Sequence, residues 1–153
     1  VKREKIDPGQ IIDKVKSLDK SRYPDSQGTI EFTANKQMMI TADRELLTKL
    51  LYNLVDNSLK FNHSDAPEIK IQMDENEEDW LISVSDNGVG IDKDYHGKIF
   101  GIFQKLHNHA DYPGSGIGLA ICEKIVSKHN GSIRLDSELK KGSTFHVTIK
   151  KER

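Results

Sequence analysis

Four stretches in the second half of the chain alternate apolar and polar positions with period two. They are Glu68–Met73, Trp80–Asp86, Ser132–Ser137 and Thr144–Lys150. Each puts one set of apolar side chains on one face: Ile69, Ile71 and Met73; Trp80, Ile82 and Val84; Ile133 and Leu135; Phe145, Val147 and Ile149. Strands with one apolar face predict a largely antiparallel sheet covered on that side. The acidic turn DENEED joins the first two stretches, and ELKKGS joins the last two. TIEFTA and QMMIT predict two shorter strands upstream.

Helical spacing appears three times. Asp7 caps DPGQIIDKVKSL, with Pro8 at the first helical position, Gln10 at capping-box spacing, and Ile11, Ile12, Val15 and Leu18 as the apolar stripe. SRYPDSQG is expected to break that helix. Asp43 caps a second helix carrying Leu46, Leu47, Leu50, Leu51, Leu54 and Val55, which runs to about Phe61 and ends before NHSDAP. IGLAICEKIVSKHN is the third and stops at Gly131. A short helical piece is expected through KIFGIF. The elements predict an α/β (α+β) two-layer sandwich, a mixed and largely antiparallel sheet with three helices on one face, as one domain over residues 1–153.

Composition narrows this only slightly. The 153 residues carry a net charge of −1, with 31% charged and 35% hydrophobic, which suits a single core and argues against a nucleic-acid surface. No apolar run nears the roughly 20 residues of a membrane span. The single cysteine, Cys122, lies in an apolar helical run and reads as a small buried hydrophobe in a reducing, cytoplasmic setting. The sequence lacks an initiator Met and is expected to be a fragment. His107 and His109 share a polar loop without the three or four ligands zinc needs, and His63, His96, His129 and His146 read as surface or satisfied residues.

The candidate chemistry lies where local rules fail. Asn53 and Asn57 interrupt the leucine helix, and Asn is a poor helix former. At about 100° per residue, Asn57 lies about 40° from Asn53, and Lys60 about −20°. The three form a polar stripe along one rim of the apolar face. That stripe is either an exposed edge without a role or the wall of a cleft. Asp86 shares the parity of Trp80, Ile82 and Val84, so a carboxylate ends a buried face and needs a hydrogen-bonding partner. Asp-Asn-Gly also makes an ordinary turn, but Gly88, Gly90 and Ile91 continue the motif beyond it. Gly114, Gly116 and Gly118 precede the third helix, whose free N–H groups favour phosphate. The pattern is neither a P-loop nor a dinucleotide fingerprint, and a glycine-rich run also reads as a flexible loop.

In chain order, NLVDNSLKF, DNGVGID, IFGIFQKL, GSGIGLAI and GSTF resemble the N, G1, F, G2 and G3 boxes of the catalytic ATP-binding domain of sensor histidine kinases. That family belongs to the GHKL, or Bergerat-fold, ATPases, and the intervening lid looks most like the phytochrome-type branch. The resemblance covers residues from about 43 to the end. It implies ATP and Mg²⁺ as cofactors. Asp86 would accept from the adenine amino group, Gly88, Gly90 and Ile91 would close around the base, and Phe61 would pack near it. Asn57 would ligate Mg²⁺. Lys60 and Lys105 would offset phosphate charge, and Gly114, Ser115, Gly116, Ile117, Gly118 and Leu119 would hold phosphates. Thr144 is implied near the nucleotide.

Asn53 stands where hydrolysing relatives carry Glu as a general base, so the resemblance implies phosphoryl transfer to histidine rather than attack by water. A GHKL-type ATPase, a protein serine kinase, and a nucleotide-sensing domain without turnover remain the alternatives. None of the six histidines has the acceptor setting. The implied partners are the protein's own dimerisation and phosphoacceptor domain, expected outside this sequence, and a response regulator. The full-length protein is expected to be a homodimer, with or without a membrane anchor, and the isolated domain a monomer.

Overall fold

Alternation becomes a five-stranded sheet. A computed structural model describes residues 1–25, 28–34, 37–60, 67–88, 117–138 and 142–152. The elements run β1 (Arg3–Ile6), α1 (Pro8–Arg22), β2 (Thr29–Thr33), β3 (Ile40–Asp43), α2 (Arg44–Lys60), β4 (Glu68–Glu75), β5 (Asp79–Asp86), α3 (Ile117–Lys128), β6 (Ser132–Glu138) and β7 (Gly142–Lys150). The main sheet has the order β2-β4-β5-β7-β6. Its β2–β4 pair is parallel and its other pairs are antiparallel. β1 and β3 form a separate antiparallel pair.

The predicted apolar parity is the one that is buried. Ile69, Ile71, Met73, Trp80, Ile82, Val84, Phe145, Val147 and Ile149 all lie in the core, while Ile133 and Leu135 on the edge strand β6 are half-buried. From the helices come Ile11, Ile12, Val15, Leu47, Leu50, Leu51, Leu54, Val55, Leu119, Cys122, Ile125 and Val126. Full burial of one Leu or Ile side chain stabilises the fold by about 1.5–3 kcal/mol. α2 packs against both other helices, and against β5, while α3 packs on β6 and β7. The expected two-layer arrangement of sheet and three helices is what forms.

α1 ends inside SRYPDSQG as expected, after Ser21 and Arg22, with Tyr23 as its C-cap. Several local expectations need correction. Gln10 does not complete a capping box; its Oε1 accepts from Arg44 Nη1 at 3.1 Å, while Asp7 Oδ1 accepts from the Gly9 N–H at 2.9 Å. The strand expected at QMMIT starts only at Ile40 and runs to Asp43. β1 was not legible, because only Ile6 of its four residues is buried. The helical piece at KIFGIF lies outside the described residues. Asp43 caps α2 as expected, its Oδ1 accepting from the Leu46 N–H at 3.2 Å.

The end of α3 is built more tightly than a glycine stop requires. The left-handed position falls on Asn130, with φ 56°. Gly131 is required for another reason: a Cβ there would lie 1.8 Å from the Thr148 carbonyl oxygen of β7. His129, fully buried, finishes the anchor. Its Nε2 accepts from the Asp43 N–H at 3.1 Å, and its Nδ1 lies 2.8 Å from the Ile125 carbonyl. Both contacts are made together only by the neutral imidazole with its proton on Nδ1.

Candidate functional site

The site is built where the C-terminal end of β5 meets the last turns of α2. Asp86 ends β5 on the helix-covered side, opposite Ile69 of β4 and Ser143 of β7. Burial pushes its carboxyl above the ordinary value for Asp. Three neighbours pull the other way: the Gly88 N–H, donating at 2.8 Å, the Ser58 hydroxyl, whose own hydrogen bond runs to the Leu54 carbonyl at 3.0 Å, and the Ser143 N–H. The carboxylate therefore stands on a scaffold drawn from α2, β7 and its own turn. Asn87 fixes that turn from outside, its Oδ1 accepting from the Glu68 N–H at 3.0 Å.

Gly142 closes the same corner. Its φ is +89°, and a Cβ there would lie 2.1 Å from the Asp86 carbonyl oxygen. Only glycine allows β7 to begin this close to the end of β5.

On α2, Asn53 and Asn57 are half-buried beside the buried Leu54 and Val55. Among the described residues, Asn53 Nδ2 is a buried donor with no hydrogen-bond partner. A buried unpaired amide costs about 1–3 kcal/mol, which a bound acceptor would remove. The helix is held from behind next to Asn57: Asp56 accepts from the Tyr23 hydroxyl at 2.7 Å and pairs with Arg22 at 3.5 Å. Burial first, then the bond to Asp56, pushes the Tyr23 hydroxyl up to about 12.

The remaining predicted residues divide cleanly. Ile117, Gly118 and Leu119 form the first turn of α3, whose backbone N–H groups have no partner within the helix. Leu119 buries its side chain in the core, so only its backbone is available to a ligand. Lys60 ends α2, but its side chain lies outside the described part, as do Phe61, Gly90, Ile91, Lys105, Gly114, Ser115 and Gly116. Thr144 is not brought to Asp86. It lies on the open face of the sheet, with its Oγ1 3.0 Å from Ser85 Oγ. Its neighbour Ser143 is the residue on Asp86's side, at 8% exposure. Ser58, 2% exposed, and Ser143 are the members that sequence reasoning missed.

Among the described residues, no group of three or more His, Cys, Asp or Glu could hold a metal. The single amide oxygen of Asn57 suits Mg²⁺, which takes few protein ligands and completes its shell with phosphates and water. Among the described residues no helix is long and apolar enough to cross a membrane.

A sheet covered on one side by three helices, with a desolvated carboxylate at one strand end and two asparagines on the facing helix, is the architecture of the Bergerat fold. Residues 42–153 match the family described as histidine kinase-, DNA gyrase B- and HSP90-like ATPases, and the chain belongs to that family. It is 41% identical to phytochrome-like protein Cph1 of Synechocystis sp. over 143 residues, which is 94% of this chain and 19% of the relative. The chain thus spans about a fifth of that protein's length. The catalytic domain of histidine kinase ThkA superposes with a TM-score of 0.83 at 25% identity, covering 99% of both chains. A second structure holds ThkA in complex with response regulator protein TrrA, with a TM-score of 0.78 at 23% identity, covering 98% of this chain and 42% of that one.

Proposed function

We propose that this chain is the ATP-binding catalytic domain of a sensor histidine kinase, which delivers the γ-phosphoryl group of Mg-ATP to a histidine on a separate domain. The observation that carries this reading is Asp86, a carboxylate kept at the end of an apolar strand face and held by the Gly88 N–H at 2.8 Å. It suits the exocyclic amino group of adenine. Gly88, Gly90 and Ile91, which follow it in the chain, are the residues we assign to the base pocket, together with Phe61.

Asn57 would hold Mg²⁺ through its side-chain oxygen, and the ion would supply charge neutralisation to the phosphates. Lys60 and Lys105 add positive charge. The first turn of α3, with Gly114, Ser115 and Gly116 before it, gives N–H groups to phosphate oxygens. Asn53 offers a donor where a hydrolase needs a general base. The chain's own groups therefore position and neutralise, and the neutral imidazole of the acceptor supplies its own nucleophile. The resulting phosphohistidine is the donor for a response regulator.

The test is transfer from γ-labelled ATP to a supplied histidine-bearing helical domain. Asp86→Asn weakens nucleotide binding by at least about tenfold, and Asn57→Ala abolishes the Mg²⁺-dependent rate. Undiminished transfer by both variants would refute the assignment.

A further inference from the structure

β6 ends the main sheet, and among the described residues no strand pairs with its outer edge. Edge strands are ordinarily blunted by proline, by a bulge or by short length. β6 has none of these. Its seven residues, Ser132–Glu138, hold continuous register with β7 and include neither Pro nor Gly. A row of backbone N–H and C=O groups therefore faces outward, open to another strand.

The side chains decide which strand fits. Arg134 and Asp136 lie on the open face of the sheet, opposite His146 and Thr144 of β7, and both are exposed. Among the described residues, neither side chain has an ion-pair or hydrogen-bonding partner. Ile133 and Leu135 lie on the helix-covered face and are only half-buried. A second copy of the strand, laid antiparallel so that all seven residues overlap, puts Leu135 on the two-fold axis. Arg134 then meets the partner's Asp136, Asp136 meets the partner's Arg134, and Leu135 meets the partner's Leu135. Sliding the axis onto Arg134 or Asp136 sets like charges directly opposite, which is destabilising. The register with full overlap is thus the one that pairs both charges.

The other edge of the sheet lacks this property. In β2, Thr29–Thr33, the same operation brings Glu31 against the partner's Glu31. β2 repels its own copy, and β6 complements its own.

We propose that β6 is a self-association edge: two copies of this chain pair their β6 strands antiparallel about Leu135, joining the two five-stranded sheets into one continuous sheet. This contact is independent of the nucleotide reading. One strand pair with exposed ions binds weakly, with a dissociation constant on the order of 0.1–1 mM. It acts where copies are already held together, since a short tether supplies effective concentrations in the millimolar range.

The experiment follows association of this chain by sedimentation equilibrium up to about 1 mM, with hydrogen exchange of the β6 amides at low and high concentration. The expected result is a monomer–dimer equilibrium that salt weakens, with the β6 amides slowed as the dimer forms. Arg134→Asp sets acid against acid at both pairs and weakens the dimer about tenfold or more. Asp136→Arg does the same with base against base. Mixed together, these two variants form a heterodimer, because every facing pair is again opposite in charge. Combining Arg134→Asp and Asp136→Arg in one chain restores the homodimer. Should a reversed charge unfold the chain, Arg134→Ala and Asp136→Ala, tested singly, give smaller losses of about two- to tenfold. A chain that stays monomeric at the highest concentration leaves the edge to an unlike strand or to none, and overturns the proposal. Association that ignores the charge reversals, that the exchanged chain fails to recover, or that leaves the β6 amides unprotected overturns it as well.

Discussion

Gly142→Ala is the sharpest perturbation of the corner that holds Asp86. The new Cβ would start 2.1 Å from the Asp86 carbonyl oxygen, where ordinary contact begins at 3.4 Å. The strand ends must therefore part by more than 1 Å, and the obstacle is backbone rather than a side chain that could swing away. The left-handed φ of +89° adds about 1–2 kcal/mol for a residue with a Cβ. Parting β5 from β7 also strains the Ser143 N–H bond to the carboxylate, worth about 1.5–3 kcal/mol. The expected loss is about 3–5 kcal/mol, or on the order of 10 °C in Tm for a chain of this length. Differential scanning calorimetry measures the stability, and calorimetric ADP titration below Tm measures the site. ADP affinity should fall together with stability, since the same movement displaces Asp86. Gly9→Ala is the control: its Cβ would meet only the flexible Asp7 carboxylate at 3.3 Å, so its effect stays within about 1 kcal/mol of neutral. Equal effects of the two substitutions, or a Gly142→Ala protein with unchanged Tm and affinity, would refute the argument.

Three further outcomes are expected. Asp86→Asn should stabilise the nucleotide-free chain at neutral pH: burial raises the native carboxyl above its ordinary 3.8, so stability is lost as pH rises through the native value. Urea melts at about pH 3.5 and 7 check this, and a variant that is less stable by the same margin at both would contradict it. His129→Ala strips the Asp43 N–H of its acceptor and leaves a cavity at the end of α3, costing about 3–4 kcal/mol by chemical denaturation; a loss below about 1 kcal/mol would show that the anchor is dispensable. Burial pushes the Cys122 thiol up to about 12, so a thiol reagent should react only as the chain unfolds, and fast labelling of the native chain would place the residue wrongly.

Period-two patterning was enough to assign β4, β5 and β7 and the face each buries, because one-sided burial writes itself directly into alternation. The caps at Asp7 and Asp43 were equally local. β1 escaped because its pairing partner, β3, supplies the reason for its existence, and four residues with one buried Ile carry no period of their own. Asp86 announced itself as a charge in an apolar row. Ser58 and Ser143 did not, since serine is at home on any surface. Their meaning comes only when residues 58, 86 and 143 are brought together by α2, β5 and β7. Thr144 illustrates the same limit from the other side: one residue of parity decides which face of a sheet a hydroxyl serves, and a motif such as GSTF does not say which.

Arg3 gives the fold an order in time. Its guanidinium donates to the carbonyls of Thr41, His129 and Lys150, at 3.2, 3.1 and 3.0 Å, and pairs with Glu152 at 3.0 Å. The Lys150 bond spans 147 positions of chain. Closing so long a loop is entropically costly until the intervening sheet already holds its ends near one another. β1 is therefore a late arrival in folding, and during synthesis it waits until Lys150 has emerged. Among the described strands it is the first in chain order and the last one locked.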